Sequence, residues 1–210
     1  MSAPWPSAAT AKRWPPAAWT SACASGIQPP ERNFGGPKGT GALVVRSGTA
    51  LHARIDGGGQ ERGRRSGTPN VAGAVGTAAA LAATVAGRHA DVARVADLRD
   101  RLADGLLATV ADAVETGARG DRVAGILHLR IAGVEAEAMV VLLDQVGIAA
   151  SAGAACSSGA VEPSHVLTSM GFGRLAASSG VRFSLGVTTT DHDVSRALAR
   201  IPGVVDRLRN

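Results

Sequence analysis

From about residue 88 onward, the sequence alternates between helical and strand periodicity. Apolar residues first recur at helical spacing, at Val92, Val95, Leu98, Leu102 and Leu106. Residues 123–131 then alternate, which predicts a strand with Leu127 and Leu129 on one side and the more exposed His128 and Arg130 on the other. The order helix, strand, helix, strand, helix, strand, helix indicates a compact α/β unit in this part of the chain.

The later elements of this unit carry their own local signals. A helix is predicted over residues 136–146, and Pro163 is expected to open another that runs through Met170. Residues 181–185 alternate as a strand. Thr190 with an acidic residue three positions later indicates a capping box for a final helix, which Pro202 is expected to end or kink.

A run of small residues interrupts this pattern at residues 149–159, AASAGAACSSG, with Cys156 near its centre. None of these side chains can fill a core, so the run predicts a mobile, exposed loop. A thiolate in such a loop is a nucleophile and a sulfur carrier. A free cysteine is also often a small buried hydrophobe, and composition leaves both interpretations of Cys156 open.

Composition bounds the class of protein. The chain has 210 residues, 45% of them hydrophobic, which suits one or two compact domains. We expect a soluble cytoplasmic protein, because no apolar run of membrane-spanning length and no secretion signal is evident. Cys23 and Cys156 lack metal-ligand spacing, so neither a disulfide framework nor a metal site is predicted. The net charge of +5 comes from dispersed arginines, which favours a solvated surface over nucleic-acid binding.

The N-terminal part differs from the rest of the chain. Residues 1–33 contain all three tryptophans and show no periodic element. A glycine turn then leads into residues 42–45, which are predicted to form a strand, and residues 57–70 form a glycine- and arginine-rich loop. This loop suits either an anion or a charged surface turn. One or two long helices are predicted over residues 71–110.

Four motifs in order resemble the cysteine desulfurases, class V members of the pyridoxal-phosphate (PLP) fold type I enzymes. They are FGGPKG at 34–39, GGGQERGRRSGT at 57–68, SAGAACS at 151–157 and VRFSLG at 181–186. The resemblance implies the C-terminal part of an aspartate aminotransferase-like fold. Residues 34–87 would be the end of the large domain, and residues 88–210 would be the small α/β domain that carries the Cys156 loop.

The resemblance also implies site residues and partners. Cys156 would be the nucleophile that takes sulfur from L-cysteine as a persulfide, and Arg182 would bind the substrate α-carboxylate. Thr68 would donate to the cofactor phosphate of the neighbouring subunit, which implies a homodimer. The long Cys156 loop resembles the branch that serves iron–sulfur cluster assembly and tRNA thiolation, so a sulfur acceptor or iron–sulfur scaffold protein is an expected partner.

One position departs from the family pattern. The family has a His-Lys pair directly before FGGPKG, and that lysine forms the Schiff base with PLP, whereas this chain has Arg32 and Asn33. Lysine occurs only at Lys12 and Lys38, neither of which stands at that position. We therefore expect a truncated or inactive desulfurase-like protein. The alternative is a non-catalytic dimerisation or sulfur-acceptor module derived from the family.

Overall fold

A computed structural model of the chain describes residues 34–120, 122–152 and 163–210. The chain divides into two compact units, Met1–Ala86 and Gly87–Asn210. The boundary between them falls within one long helix, α2 (Val71–Thr109), which confirms the helix predicted over 71–110 as a single element. The assignment of the two units to a large and a small domain stays a prediction.

The first unit contains one short helical turn, α1 (Gln60–Gly63), before α2 begins. Inside α1, Glu61 and Arg62 have φ values of 52° and 60°, so this turn has left-handed backbone geometry. The predicted strand at residues 42–45 is wrong, because no described residue pairs with it and Leu43 and Val44 are 76% and 77% exposed. Apolar residues form a strand only when a neighbouring backbone accepts their hydrogen bonds.

Helix α2 changes character along its length. Its first half exposes apolar side chains such as Val71 and Val75, and the buried hydrophobic residues of the described chain all lie at or after Val95. By length and composition α2 is apolar enough to cross a membrane, so the expectation that no run approaches this length is wrong. Alanine and valine raise the hydropathy of this helix without any long uncharged leucine run. Core helices of soluble proteins meet the same criterion, and the helix alone does not assign the chain to a membrane.

The second unit is built on a four-stranded antiparallel sheet. Its strands are β1 (Ala113–Glu115), β2 (Ile126–Ile131), β3 (Ser151–Ala152) and β4 (Gly180–Ser184), in the order β1-β2-β4-β3. The predicted strands at 123–131 and 181–185 are confirmed: β2 begins three residues later than predicted, and β4 is shifted by one residue towards the N-terminus. Strands β1 and β3 are additions to the prediction, because each is too short to show a period of its own.

The helices of the second unit are the second half of α2, α3 (Ala136–Gln145), α4 (His165–Ser169), α5 (Arg174–Ser178) and α6 (Asp191–Arg209). Helix α4 begins at His165, later than the predicted start at Pro163, because Ser164 is its N-cap: the Ser164 hydroxyl accepts a hydrogen bond from the Leu167 amide. Helix α5 was not predicted.

Helix α6 begins with the predicted capping box. The Thr190 hydroxyl accepts from the Asp193 amide, and the Asp193 carboxylate accepts from the Thr190 amide and hydroxyl. These hydrogen bonds from Thr190 lower the pKa of Asp193 below its usual value. Of the two expected effects of Pro202, an end of the helix is wrong, since α6 runs on to Arg209, and a kink stays a prediction.

One face of the sheet forms the core with the surrounding helices. The alternation on β2 places Leu127, Leu129 and Ile131 on this face, and all three are almost fully buried. They pack in a single cluster with residues of β4, α2, α3 and α6, namely Val181, Phe183, Leu106, Met139, Leu143, Ile201 and Val205. The apolar periodicity of each element therefore points to the same core.

Charged side chains tie β1 to the segments around it. The Glu115 side chain is only 9% exposed and pairs with Arg119 at 2.7 Å and with Arg122. Arg122 and the buried Arg99 also pair with Asp100 on α2. Arg101 pairs with Asp191 at the start of α6. The Arg122–Asp100 and Arg101–Asp191 pairs connect elements that are distant in sequence.

Two leucines provide a matched test of this core. Leu106 is 0% exposed in the cluster, whereas Leu175 on α5 is 89% exposed. We expect Leu106→Ala to lower the free energy of unfolding by about 2–5 kcal/mol, because it leaves a cavity in packed surroundings. Leu175→Ala should change it by about 0.5 kcal/mol or less. Urea denaturation followed by circular dichroism measures both, and similar losses in the two variants would contradict the assigned core.

A second test concerns the two units. Because the buried hydrophobic residues described by the structure begin at Val95, the chain before residue 87 should open at lower free energy than the chain after it. Limited proteolysis with mass spectrometry should therefore cut within the first unit first and leave a fragment that begins near Gly87. Equal resistance along the chain would contradict this difference.

Candidate functional site

The second face of the sheet in the Gly87–Asn210 unit is polar. Along β2 and β4, half-buried residues alternate with the buried core residues. Strand register places the polar side chains on one face. They are Ser151, His128, Arg130, Arg182 and Ser184. This polar face is the candidate site, and Arg182 lies in its middle.

Arg182 stands between two neighbouring strands. Its Cα is paired with that of His128 on β2 and with that of Ser151 on β3. The Arg182 Nη2 atom lies 3.5 Å from the Ser151 hydroxyl oxygen, at the long limit for a hydrogen bond that the guanidinium donates. A half-buried guanidinium that is anchored in the centre of a sheet is suited to bind a carboxylate through two parallel hydrogen bonds.

His128 is more buried than the sequence predicts, because its position on the polar side of β2 indicates an exposed side chain. A Cβ atom added at Gly180 would lie 2.8 Å from the His128 Cε1 atom and 2.9 Å from the Leu167 Cδ1 atom, so the imidazole occupies the space above this glycine. The His128 Nδ1 atom is buried and has no hydrogen-bond partner among the described residues. Burial lowers the pKa of His128, and the positive charges of Arg182 and Arg130 lower it further. The ring is therefore neutral at pH 7.

Arg130 holds the segment that covers this face. Its Cζ atom lies 4.0 Å from the centroid of the Phe172 ring, a cation–π contact with the loop between α4 and α5. Its Nε atom donates to the Thr116 hydroxyl at 3.2 Å. Arg130 also lines a cavity of about 650 Å³ beside α5, together with Asp112 and Glu135. Neither Arg182 nor His128 lines this cavity, so it is separate from the centre of the polar face.

Cys156 lies outside the described residues, and so does Asn33. The chain that leads to Cys156 is described as far as β3, where Ala152 pairs with Val181, the neighbour of Arg182. The chain is described again from Pro163, just before the N-cap Ser164 of α4. Strand pairing thus brings the start of the cysteine-containing segment beside Arg182.

Thr68 belongs to the first unit, whereas Arg182 belongs to the second. It is exposed, and its backbone carbonyl accepts a hydrogen bond of 3.4 Å from Arg65 Nη1. The same guanidinium donates to the Gly67 carbonyl, and the Ser66 hydroxyl donates to the Gly58 carbonyl. The loop is therefore stabilised by its own hydrogen bonds and displays Thr68 on its surface.

The comparisons with known proteins identify the family. The Aminotransferase class-V model matches residues 32–197. The chain belongs to this family. This membership confirms the resemblance and the α/β fold class, the C-terminal part of a PLP fold type I protein.

Relatives of the chain within the class-V family include cysteine desulfurases. An IscS-like cysteine desulfurase of Mycobacterium tuberculosis is 46% identical over 177 residues, which cover 84% of this chain and 45% of the relative. A cysteine desulfurase of Gluconacetobacter diazotrophicus is 46% identical over 175 residues, 82% of this chain and 43% of the relative. The solved structure of a NifS-like protein is 31% identical, with a TM-score of 0.72 over 83% of this chain and 44% of that protein. The chain spans less than half the length of the relatives it matches.

The sequence did not reveal the position of His128 next to Arg182. The alternation on β2 indicates a surface histidine. It does not show the pairing of β2 with β4 or the contact with Leu167, because both are long-range contacts. The local signal that could have found it is Gly180, a glycine at the start of the strand that contains Val181 and Phe183. Among the described residues no group of three or more His, Cys, Asp or Glu side chains could hold a metal ion.

The lowered pKa of His128 predicts an effect of pH on stability. The folded-state pKa lies below the ordinary value of 6.5, so below that pH the unfolded chain binds a proton that the folded chain does not. The free energy of unfolding should therefore decrease as the pH falls below 6.5, and His128→Asn should reduce this decrease. Urea denaturation at pH values on either side of 6.5 measures it. His165→Asn, which removes an exposed imidazole on α4, is the matched control, and equal effects of the two substitutions would contradict the prediction.

Proposed function

We propose that this chain is an inactive cysteine desulfurase-like protein that keeps the sulfur-carrying cysteine of the family at Cys156; in the active reaction this cysteine would receive sulfur from L-cysteine as a persulfide, with release of L-alanine. The observation that carries the proposal is the pairing of Ser151 with Arg182, because it joins the start of the Cys156 segment to a guanidinium suited to a carboxylate. The similarity to cysteine desulfurases over 84% of the chain supports it.

Arg182 is proposed to bind the α-carboxylate of L-cysteine. The guanidinium is half-buried, its strand lies between β2 and β3, and Ser151 offers a further hydroxyl group within 3.5 Å. A carboxylate bound here would exchange hydration for charge-assisted hydrogen bonds, which are about twice as strong as neutral ones. The carboxylate would thus fix the orientation of the substrate relative to β3.

Cys156 is proposed as the sulfur carrier. It follows Ala152 by four residues, and a fully extended chain spans at most about 3.6 Å per residue, so its Cα lies within about 14 Å of the Ala152 Cα. This limit keeps the thiol within reach of a substrate bound at Arg182. The segment between Ala152 and Cys156 would also allow the persulfide to contact a sulfur acceptor or an iron–sulfur scaffold protein in the cytoplasm.

Thr68 is proposed to donate to the phosphate of PLP in a neighbouring subunit. Its exposure on a loop that is stabilised by its own hydrogen bonds supports contact with a second molecule. The proposed assembly is therefore a homodimer in which each cofactor site uses residues of both chains. This role and the homodimer rest on the family resemblance.

The described residues do not fit PLP by themselves. When bound, this cofactor supplies the electron sink for carbon–sulfur bond cleavage, and its aldehyde requires a lysine amine held against it. Lys38 is the lysine within the described chain, and it is exposed in a turn. Asn33, at the position of the family's Schiff-base lysine, carries a non-nucleophilic amide. We propose that the chain on its own is inactive towards L-cysteine.

The exposed position of Lys38 favours a second candidate function, a sulfur-acceptor module. Here the Cys156 thiolate would attack the outer sulfur of a donor persulfide. A new sulfur–sulfur bond would form at Cys156 while that of the donor breaks, and the donor would leave as a thiolate. This exchange requires no cofactor.

One experiment separates the two candidates. The purified chain is incubated with PLP and L-cysteine, reduced with borohydride and mapped by mass spectrometry. We expect no stoichiometric cofactor on a single lysine and no sulfide release, and Asn33→Lys should not restore either, because a lysine alone does not provide the other groups that hold the cofactor. Cofactor trapped on one lysine together with sulfide release would instead establish a complete enzyme.

The second arm of the experiment uses glutathione persulfide as the donor. The chain should gain the mass of one sulfur atom on Cys156, and Cys156→Ser should abolish this gain. Cys23→Ser is the matched control, since it removes the other thiol and should leave transfer unchanged. Equal labelling of both cysteines would contradict a specific acceptor role.

A further inference from the structure

The antiparallel ladder between β2 and β4 places His128 directly opposite Arg182. Side chains that are directly opposed in such a ladder have Cβ atoms about 4.5–5.5 Å apart and lie on the same face. Arg182 therefore has the His128 imidazole on one side and the Ser151 hydroxyl on the other. The conformation of the guanidinium depends on what these two neighbours allow.

The His128 ring is held in place by its surroundings. It lies above Gly180, where an added Cβ would approach the Cε1 and Nε2 atoms to 2.8 Å and 3.0 Å, and Leu167 occupies the adjacent space. The residue is half-buried, and its Nδ1 atom is completely buried. A ring confined in this way stays in one position beside Arg182.

The charge on the polar face favours the same arrangement. Arg182 and Arg130 both lie on this face near His128, and their charges, together with burial, keep the imidazole neutral. A neutral ring neither repels the guanidinium nor competes with it for an anion. The guanidinium extends towards Ser151, whose hydroxyl oxygen lies 3.5 Å from the Arg182 Nη2 atom.

We propose that His128 is a positioning residue for Arg182: its ring, confined above Gly180, fills the β2 side of the guanidinium and directs it towards Ser151. This proposal rests on the proposed function of Arg182 only where it concerns carboxylate binding. A guanidinium that is already ordered binds a carboxylate without a further loss of side-chain entropy. His128 itself does not contact the substrate in this proposal.

The test is the mobility of the Arg182 side chain in the full-length chain, measured by ¹⁵N relaxation at its Nε atom. In the wild-type chain this side chain should be ordered, and in His128→Ala its order parameter should fall to a flexible value below about 0.6. Ile126→Ala is the matched control, because Ile126 lies on the same strand but opposite Ser184, and it should leave Arg182 ordered.

A conservative variant keeps the test decisive. His128→Gln retains a planar polar group of similar reach and should keep Arg182 ordered. A mobile Arg182 in His128→Gln overturns the proposal even where His128→Ala does not fold. An Arg182 that stays ordered in a folded His128→Ala variant overturns it as well.

A titration with L-alanine distinguishes this proposal from the carboxylate-binding role. L-Alanine carries the α-carboxylate of L-cysteine without the thiol, and it should shift the Arg182 Nε resonance. In His128→Ala its affinity should be weaker by up to about tenfold, the cost of ordering one long side chain. If the wild-type resonance does not respond while the relaxation results hold, the carboxylate role fails and the positioning role stands.

Discussion

The pairing of β2 with β4 is the interaction on which the second unit depends. Its register runs from Ile126 opposite Ser184 to Arg130 opposite Gly180. Because side chains alternate along both strands, this one register buries Leu127 and Leu129 against the helices and brings His128 to Arg182 on the other face. A slip by one residue would exchange the two faces, so the core and the candidate site are specified together.

Arginine carries much of the polar structure of this chain, which has few aromatic residues. Guanidinium groups on α2 and α6 donate to backbone carbonyls of neighbouring loops: Arg94 to Thr189 and Val187, Arg99 to Ala124, Arg196 to Gly147, and Arg209 to Ala111 and Ala132. A fork of five donors can satisfy two carbonyls at once, which a lysine ammonium does less well. The basic composition therefore reflects hydrogen bonds from arginine side chains to loop carbonyls, and it is not evidence of a nucleic-acid partner.

Features that depend on local periodicity could be predicted from the sequence. The strand with Leu127, the helical character of residues 71–110 and the capping box at Thr190 follow from spacing along one segment. Features that depend on pairing could not be predicted in the same way. Residues 42–45 look like a strand but have no described partner, whereas Ser151–Ala152 looks like a loop and gains a partner in β4. The neighbours of Arg182 come from such pairing, so the sequence does not predict His128 beside it, whereas Arg182 itself is predicted from its motif.

Strand β3 is only two residues long and lies at the edge of the sheet, whereas β4 shares a five-residue register with β2. An edge strand of this length contributes few hydrogen bonds, so its detachment costs little of the cooperative stability of the sheet. Loss of the pairing at Ser151–Ala152 would therefore leave Arg182 in place, because β4 is held by its longer register with β2.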